Sequence, residues 1–161
     1  MCSKPYKSVR ISNKQNLKNV LIIEDDCEFS TTSLEIKKFL TSFSAYFQNS
    51  WDVLFFGADI KNFKKTKKEE FIQVLKARCS HSYAINNHYF KKLLNNFKKS
   101  FELIEKDEEF NPLSPTELDV VWYELQMKDK WYIGKKMLTN QKKSYSDIEH
   151  REIKRDYKNI N

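Results

Sequence analysis

An apolar run that ends in three consecutive acids constrains the fold of this chain more than any other stretch. Residues 20–23 are Val-Leu-Ile-Ile, and residues 24–26 are Glu-Asp-Asp. A short apolar run rich in β-branched residues is typical of a strand buried in a parallel sheet. In open α/β sheets, ligands bind beyond the carboxyl ends of the strands. The sequence therefore predicts a core strand that delivers carboxylates to the binding edge of a sheet.

The three acids suit a divalent cation. Residues two apart on a strand share a face, so Glu24 and Asp26 can point together while Asp25 points away. Two carboxylates on one side suit Mg²⁺ or Mn²⁺, especially when substrate phosphates complete the coordination shell. His81 and His150 could add a ligand, although a lone histidine is more often structural. The alternative for the acids is a solvated loop after a core strand.

Composition and charge narrow the class of protein. The chain has 161 residues, of which 40% are apolar and 14% aromatic, so one folded domain is expected. Its 29 basic and 22 acidic residues give a net charge of +7. The basic residues are mostly scattered lysines, without the arginine-and-aromatic stripe of nucleic-acid binders, so a nucleic-acid partner is only the weakest alternative. The sequence shows no signal peptide or transmembrane run, and we expect a cytoplasmic protein.

Hydrophobic periodicity predicts strands that alternate with helices. Helices are predicted near 33–48, with a capping box of Thr32 and Glu35, near 87–99, and from Ser114-Pro115-Thr116-Glu117 onward. Strands are predicted within 17–26, 51–57, 71–76, 81–85 and 131–134. Residues 59–70 are expected to form a lysine-rich loop, and 141–161 a loop followed by a frayed basic helix. This alternation predicts an α/β fold with a mainly parallel sheet flanked by helices.

One partial resemblance concerns response-regulator receivers. Residues 20–26 resemble the first strand and acidic pocket of that family. A receiver also needs a phospho-accepting aspartate at the end of its third strand. The comparable strand here, residues 52–56, ends in Gly57, and its spacing from Asp26 is too short for the two intervening elements. A receiver is therefore not expected.

A second resemblance is spread along the chain. Five segments resemble, in order, those of glycosyltransferase family 25, the lipooligosaccharide and procollagen galactosyltransferase type. They are the metal motif at 21–26, the next core strand at 51–57, Ser82-Tyr83-Ala84-Ile85 with the Leu93-Leu94 helix, Glu117-Leu118-Asp119, and Gln141 with Ser146-Asp147-Ile148.

The resemblance implies a GT-A, Rossmann-like fold, present here only in part. Members of the family usually carry an opening strand and further residues before the acidic motif, whereas 19 residues precede Val20 here. We therefore expect a chain that corresponds to the C-terminal part of the domain. Its expected divisions are a polar basic segment at 1–16, the transferase-like domain at 17–150 and a basic tail at 151–161.

The resemblance also implies a chemistry. It is the transfer of a hexose, galactose or glucose, from a nucleotide diphosphate sugar such as a UDP-hexose to a hydroxyl of a glycan or protein acceptor. Glu24 and Asp26 would hold Mn²⁺ or Mg²⁺, which neutralises the leaving diphosphate. Asp25 would contact the ribose or shape the loop.

An inverting transfer, which the resemblance implies, needs a carboxylate base to accept the proton of the acceptor hydroxyl. Asp119 is the first candidate, although a helix dipole alone would favour an acid there. Asp147 is the second candidate, and Gln141 and Ser146 would bond sugar or acceptor hydroxyls. The alternative function is a catalytically inactive fragment that acts as an interaction module.

Overall fold

The fold combines a six-stranded sheet with helices on both faces. The computed structural model describes residues 4–78, 81–106, 118–146, 151–155 and 159–160. The helices are α1 (Lys4–Lys14), α2 (Ser33–Phe47), α3 (Phe90–Lys106), α4 (Leu118–Val121) and α5 (Tyr123–Lys128). The strands are β1 (Asn19–Ile23), β2 (Cys27–Phe29), β3 (Val53–Phe55), β4 (Asp59–Lys65), β5 (Phe71–Arg78), β6 (Ser82–Asn86), β7 (Trp131–Gly134), β8 (Thr139–Ser146) and β9 (Arg151–Arg155). None of the described helices combines the length and the apolar character needed to cross a membrane.

The large sheet is mixed and mostly antiparallel. Its strand order is β1-β6-β3-β7-β5-β4, and a second sheet has the order β2-β8-β9. In the large sheet only β3 and β7 pair in parallel, and the other neighbours are antiparallel. The α/β class with flanking helices is confirmed, but the prediction of a mainly parallel sheet is wrong. The physical reason is that β6 runs between β1 and β3 in the opposite direction, an order that local periodicity does not encode.

β1 occupies the edge of this sheet rather than its centre. It pairs with β6 alone among the described strands, and Ile22 is its only buried residue. Leu21 and Ile23 are about half exposed. The prediction of a strand buried in a parallel sheet was therefore right about the strand and wrong about its surroundings, because an apolar run specifies extended backbone but not the number of neighbours.

Two apolar cores lie on opposite faces of the sheet. Successive strand residues point to opposite faces, so Val53 and Phe55 enter one core and Leu54 and Phe56 the other. The first core lies under α1, α3, α4 and α5; its largest members are Phe55, Tyr83, Phe90, Phe97, Trp122 and Trp131. The second core lies under α2 and comprises Phe43, Phe47, Trp51, Leu54, Phe56, Phe71, Tyr132 and Leu138.

Helix α2 begins where the sequence predicts. The Thr32 side chain accepts the Glu35 N–H, and the Glu35 carboxylate accepts the Thr32 N–H at 3.2 Å, which completes the capping box. Phe43 and Phe47, one turn apart, enter the second core. The predicted helix at 33–48 is therefore confirmed.

Several polar segments form helices or strands where the sequence predicted no regular structure or a different one. Residues 4–14 form α1, in which Val9 is fully buried and Tyr6 packs edge-on against Phe101 of α3. The predicted lysine-rich loop contains β4, and β8 and β9 occupy the region predicted as a loop and basic helix. The predicted helix start at 114–117 lies outside the described residues.

The topology gathers several chain segments at one edge of the large sheet. β1, β3 and β7 run in the same direction, so their carboxyl ends share this edge with the start of β6. After β7 the chain crosses the end of β3, where Leu138 N–H and Thr139 N–H donate to the Phe56 carbonyl at 2.8 and 3.3 Å. It then enters β8, which pairs with β2, the strand that directly follows the acidic residues.

Candidate functional site

The three acids form a turn at this carboxyl edge. The turn is closed by the Cys27 N–H, which donates to the Glu24 carbonyl at 3.2 Å, and is tied to β6 by the Glu24 N–H, which donates to the His81 carbonyl at 2.8 Å. Glu24 and Asp26 are half-buried, whereas Asp25 is exposed. Asp25, which was predicted to point away from Glu24 and Asp26, is therefore the exposed one of the three, and the acids lie in a turn and not in a continuing strand.

Gln141 contacts the acidic turn directly. Its side-chain amide donates to Asp26 Oδ2 at 2.6 Å across 115 sequence positions. The pairing of β2 with β8 sets this contact, since Cys27 lies opposite Gln141 in the register and Lys142 N–H donates to the Asp26 carbonyl at 2.7 Å. Two residues predicted for one site from distant segments are thus brought together.

A network of buried hydroxyls lies behind the turn. Ser82 Oγ and Thr139 Oγ1 are 2.5 Å apart, and His81 Nε2 lies 3.1 Å from Thr139 Oγ1. All three side chains are buried. The Cys27 thiol bonds to the same two hydroxyls. This network was not predicted, because its members are separate polar residues at the ends of β2, β6 and β8 and no local pattern connects them.

The chemistry of Cys27 is that of a neutral thiol. Burial raises its pKa above the ordinary value, and hydrogen bonds from Ser82 and Thr139 oppose this only in part. The negative charges of Asp26 and Glu24 raise it further. A nucleophilic cysteine needs a lowered pKa, so these surroundings do not favour a thiolate at Cys27.

The first core reaches the site through Tyr83. This residue lies opposite Ile22 in the register of β1 and β6, and its side chain is fully buried. Burial raises the pKa of Tyr83, and the charge of Glu24 adds to the effect. The Tyr83 ring lies 5.5 Å from the ring of Trp122, which directly follows α4. Helix α4, which carries Asp119, is therefore on the same face of the sheet as Tyr83.

The remaining predicted residues are placed less fully. Asp119 lies in α4, but its side chain is outside the described part of the chain. Ser146 is the last residue of β8 and pairs with Arg151 of β9. Asp147 and His150 lie outside the described residues. His81, which could have ligated a metal, is buried in the hydroxyl network.

The acidic turn offers an incomplete set of metal ligands. In the described ranges, no group of three or more His, Cys, Asp or Glu side chains is placed to hold a metal ion. Asp26 Oδ1 is nevertheless buried, and no described residue donates a hydrogen bond to it. A buried carboxylate oxygen without a donor is suited to a cation. Mg²⁺ commonly takes one or two carboxylates and completes its shell with substrate phosphates and water, so Asp26 Oδ1 suits one ligand position of such an ion.

Comparison with known proteins leaves the family open. No protein-family model matches the chain, and no curated protein matches it.

Proposed function

We propose that this chain is a metal-dependent glycosyltransferase domain of the family 25 type. Its reaction would be the transfer of a hexose from a nucleotide diphosphate sugar, in first place a UDP-hexose, to a hydroxyl of a glycan or protein acceptor. The observation that carries the proposal is the hydrogen bond from Gln141 to Asp26. It joins the segment that resembles the family's metal motif to the segment that resembles its closing glutamine.

The acidic turn supplies the metal-binding groups in this proposal. Glu24 and Asp26 hold Mn²⁺ or Mg²⁺, and the bound ion would neutralise charge on the leaving diphosphate as a Lewis acid. Gln141 holds Asp26 through Oδ2 and leaves Oδ1 for the ion, which is the usual task of a residue outside the coordination shell. Asp25, the exposed acid, is proposed to contact the ribose of the donor.

Proton transfer requires a further carboxylate. Asp119 is the proposed base for the acceptor hydroxyl, with Asp147 as the second candidate. The packing of Trp122 against Tyr83 supports Asp119. It places α4 on the same face of the sheet as Tyr83, whose pKa the charge of Glu24 helps to raise. Ser146, with Gln141, is proposed to bond acceptor or sugar hydroxyls.

Thermal denaturation with UDP, with and without Mn²⁺, tests the site. A ligand that binds only the folded protein stabilises it by about 2.7 kcal/mol at a hundred times its Kd. For a chain of this size we expect UDP with Mn²⁺ to raise the Tm by roughly 5 to 10 °C. The shift should require Mn²⁺ and should disappear in Asp26→Asn, which keeps the side-chain size but removes the charge.

Asp59→Asn is the matched control, because Asp59 lies in β4 at the opposite edge of the sheet. It should retain the full shift. A folded wild-type chain without any shift, or an equal shift in all three proteins, would refute nucleotide binding at the acidic turn. The first of these outcomes would favour the inactive interaction module instead.

A further inference from the structure

The two edge strands of the large sheet differ in their protection against further pairing. An exposed edge strand invites another strand, and proteins commonly block it with lysines, prolines or bulges. β4 carries Lys61, Lys64 and Lys65, and its register with β5 shifts at two places. β1 reads Asn-Val-Leu-Ile-Ile, contains no charge or proline, and pairs with β6 without a break. The lysines and register shifts that protect the edge at β4 are thus absent from β1.

The backbone of β1 presents a complete set of pairing groups at this edge. The Glu24 N–H donates to the His81 carbonyl at 2.8 Å, which identifies the even-numbered residues of β1 as those bonded to β6. Antiparallel strands alternate in this respect. The N–H and C=O groups of Asn19, Leu21 and Ile23 therefore point to the open edge, where no described strand pairs with them.

Apolar side chains accompany these backbone groups. Leu21 and Ile23 are 44% and 46% exposed, and Leu40 of α2 is 40% exposed. Leu21 lies opposite Ala84, which places it on the α2 face of the sheet. A groove of about 700 Å³ on this face is lined in part by Asn19, Leu40 and Ala84. Exposed apolar groups at a sheet edge that no described strand covers are typical of an interaction surface.

We infer that this surface binds a second copy of the chain, with the two β1 strands antiparallel across a two-fold axis. The register is centred on Leu21, so that Leu21 faces Leu21 of the second copy and Asn19 faces Ile23. Every outward N–H and C=O of the three odd-numbered residues then has a partner. The two large sheets become one continuous sheet, and the exposed Leu21 side chains cover each other.

Charge complementarity favours a second copy over an arbitrary strand. Lys18 and Glu24 each lie three residues from Leu21, on opposite sides. The antiparallel register therefore places Lys18 of each copy directly opposite Glu24 of the other, whereas a parallel arrangement would oppose like charges. The same register brings a lysine from the second copy to the acidic turn. The dimer does not depend on the proposed transferase activity.

Sedimentation velocity over a range of concentrations tests the dimer. The wild-type mass should rise from 19.4 kDa toward twice that value. Physiological salt is needed because a net charge of +7 on each copy opposes association at low ionic strength. Leu21→Lys places like charges opposite each other and should weaken association roughly tenfold or more. The matched control is Phe63→Lys, at an exposed apolar residue of β4, which should leave association unchanged.

A charge exchange tests the register itself. Lys18→Glu and Glu24→Lys should each weaken self-association, since each opposes like charges. An equimolar mixture of the two variants should dimerise, because one variant then has acids and the other lysines at positions 18 and 24, so both contacts between these positions join opposite charges. Far-UV circular dichroism establishes that each variant is folded.

Three results would overturn the inference. They are a wild-type chain that stays monomeric to roughly 1 mM, a dimer that persists in folded Leu21→Lys, and a mixture that associates no better than its components. These measurements use neither nucleotide nor metal, so their outcome is separate from that of the thermal shift with UDP.

Discussion

At the scale of single residues, Gly57 shows how closely the segments at the site approach each other. A Cβ atom at Gly57 would lie 2.2 Å from the Thr139 carbonyl oxygen, 2.6 Å from Thr139 Oγ1 and 3.0 Å from His81 Nε2. Gly57 does not have a positive φ, so its role is a close backbone approach and not an unusual conformation.

Gly57→Ala should therefore destabilise the protein more than Gly134→Ala. The new methyl group at Gly57 meets backbone, which cannot move without disturbing the pairing of β2 with β8, and overpacking of this kind costs about 1–3 kcal/mol. The nearest atom at Gly134 is Cε2 of the half-buried Phe39 side chain, at 2.5 Å, whereas the nearest backbone atom, the Lys136 carbonyl oxygen, lies at 3.3 Å. Urea denaturation measures both variants. Equal losses would contradict the assignment of Gly57 to a backbone contact.

The structure brings together Asp26 and Gln141, which the sequence analysis had assigned to one site, whereas the hydroxyl groups behind them were not predicted. The acids follow an apolar run, which is a local signal, and Gln141 was identified through a resemblance between segments. Ser82 lies in a segment that resembles the family, but nothing in the sequence connects it with Thr139, because single hydroxyl residues are common and their 2.5 Å contact depends on how β6 and β8 approach each other.

At the scale of elements, α2 is fixed at its start by a capping box and an ion pair. Lys136 bonds to the Glu35 carboxylate, which also accepts from the Thr31 hydroxyl and the Thr32 N–H. These contacts lower the pKa of Glu35 to about 2, and the hydrogen bond from Lys136 has the largest effect. Since Lys136 follows β7 in the chain, the ionised carboxylate links the start of α2 to a distant segment.

The lowered pKa of Glu35 has a consequence for stability at acid pH. A carboxylate with a lower pKa in the folded state stabilises it above the ordinary pKa, and this contribution is lost as pH falls from about 4.5 to about 2. Glu35→Gln can keep the capping box but lacks the charge. Its unfolding free energy should therefore fall less steeply than that of the wild type in this range, as measured by urea denaturation at several pH values. Lys136→Gln should reduce the same pH dependence, and an unchanged slope in both variants would contradict the ion pair.

Helices and strands with many apolar residues were predicted better than those rich in charged residues. α2 has periodic apolar residues, the buried strands β3, β6 and β7 are mostly apolar, and all four were predicted near their observed positions. β4 and β9 are rich in charged residues and were missed. Such strands form because a neighbouring strand supplies backbone hydrogen bonds, and that contribution is absent from their own sequence.

At the scale of the whole molecule, the order of the strands was the property least accessible from the sequence. Apolar runs specified strands, but the position of β6 between β1 and β3 arises from contacts between distant segments. The two cores also depend on each other, because β3 contributes residues to both. Val53 and Phe55 of β3 belong to the first core, and Leu54, between them, belongs to the second. A change in one core must therefore act on the other through the shared strand.

This shared strand predicts that both cores unfold in a single transition. Trp51 is in the second core, whereas Trp122 and Trp131 are in the first. In a Trp51→Phe background, tryptophan fluorescence therefore reports on the first core alone. Phe43→Ala creates a cavity in the second core and should lower the unfolding free energy by about 3–5 kcal/mol.

The fluorescence of the first core should register this whole loss, because a cooperative domain has no state in which one face of its sheet is unfolded. Far-UV circular dichroism in urea should give the same midpoint as the fluorescence, with and without Phe43→Ala. A fluorescence midpoint that stayed in place while the dichroism midpoint fell would show two separately folding layers. The shared backbone of β3, buried on both faces, makes a single transition the expected result.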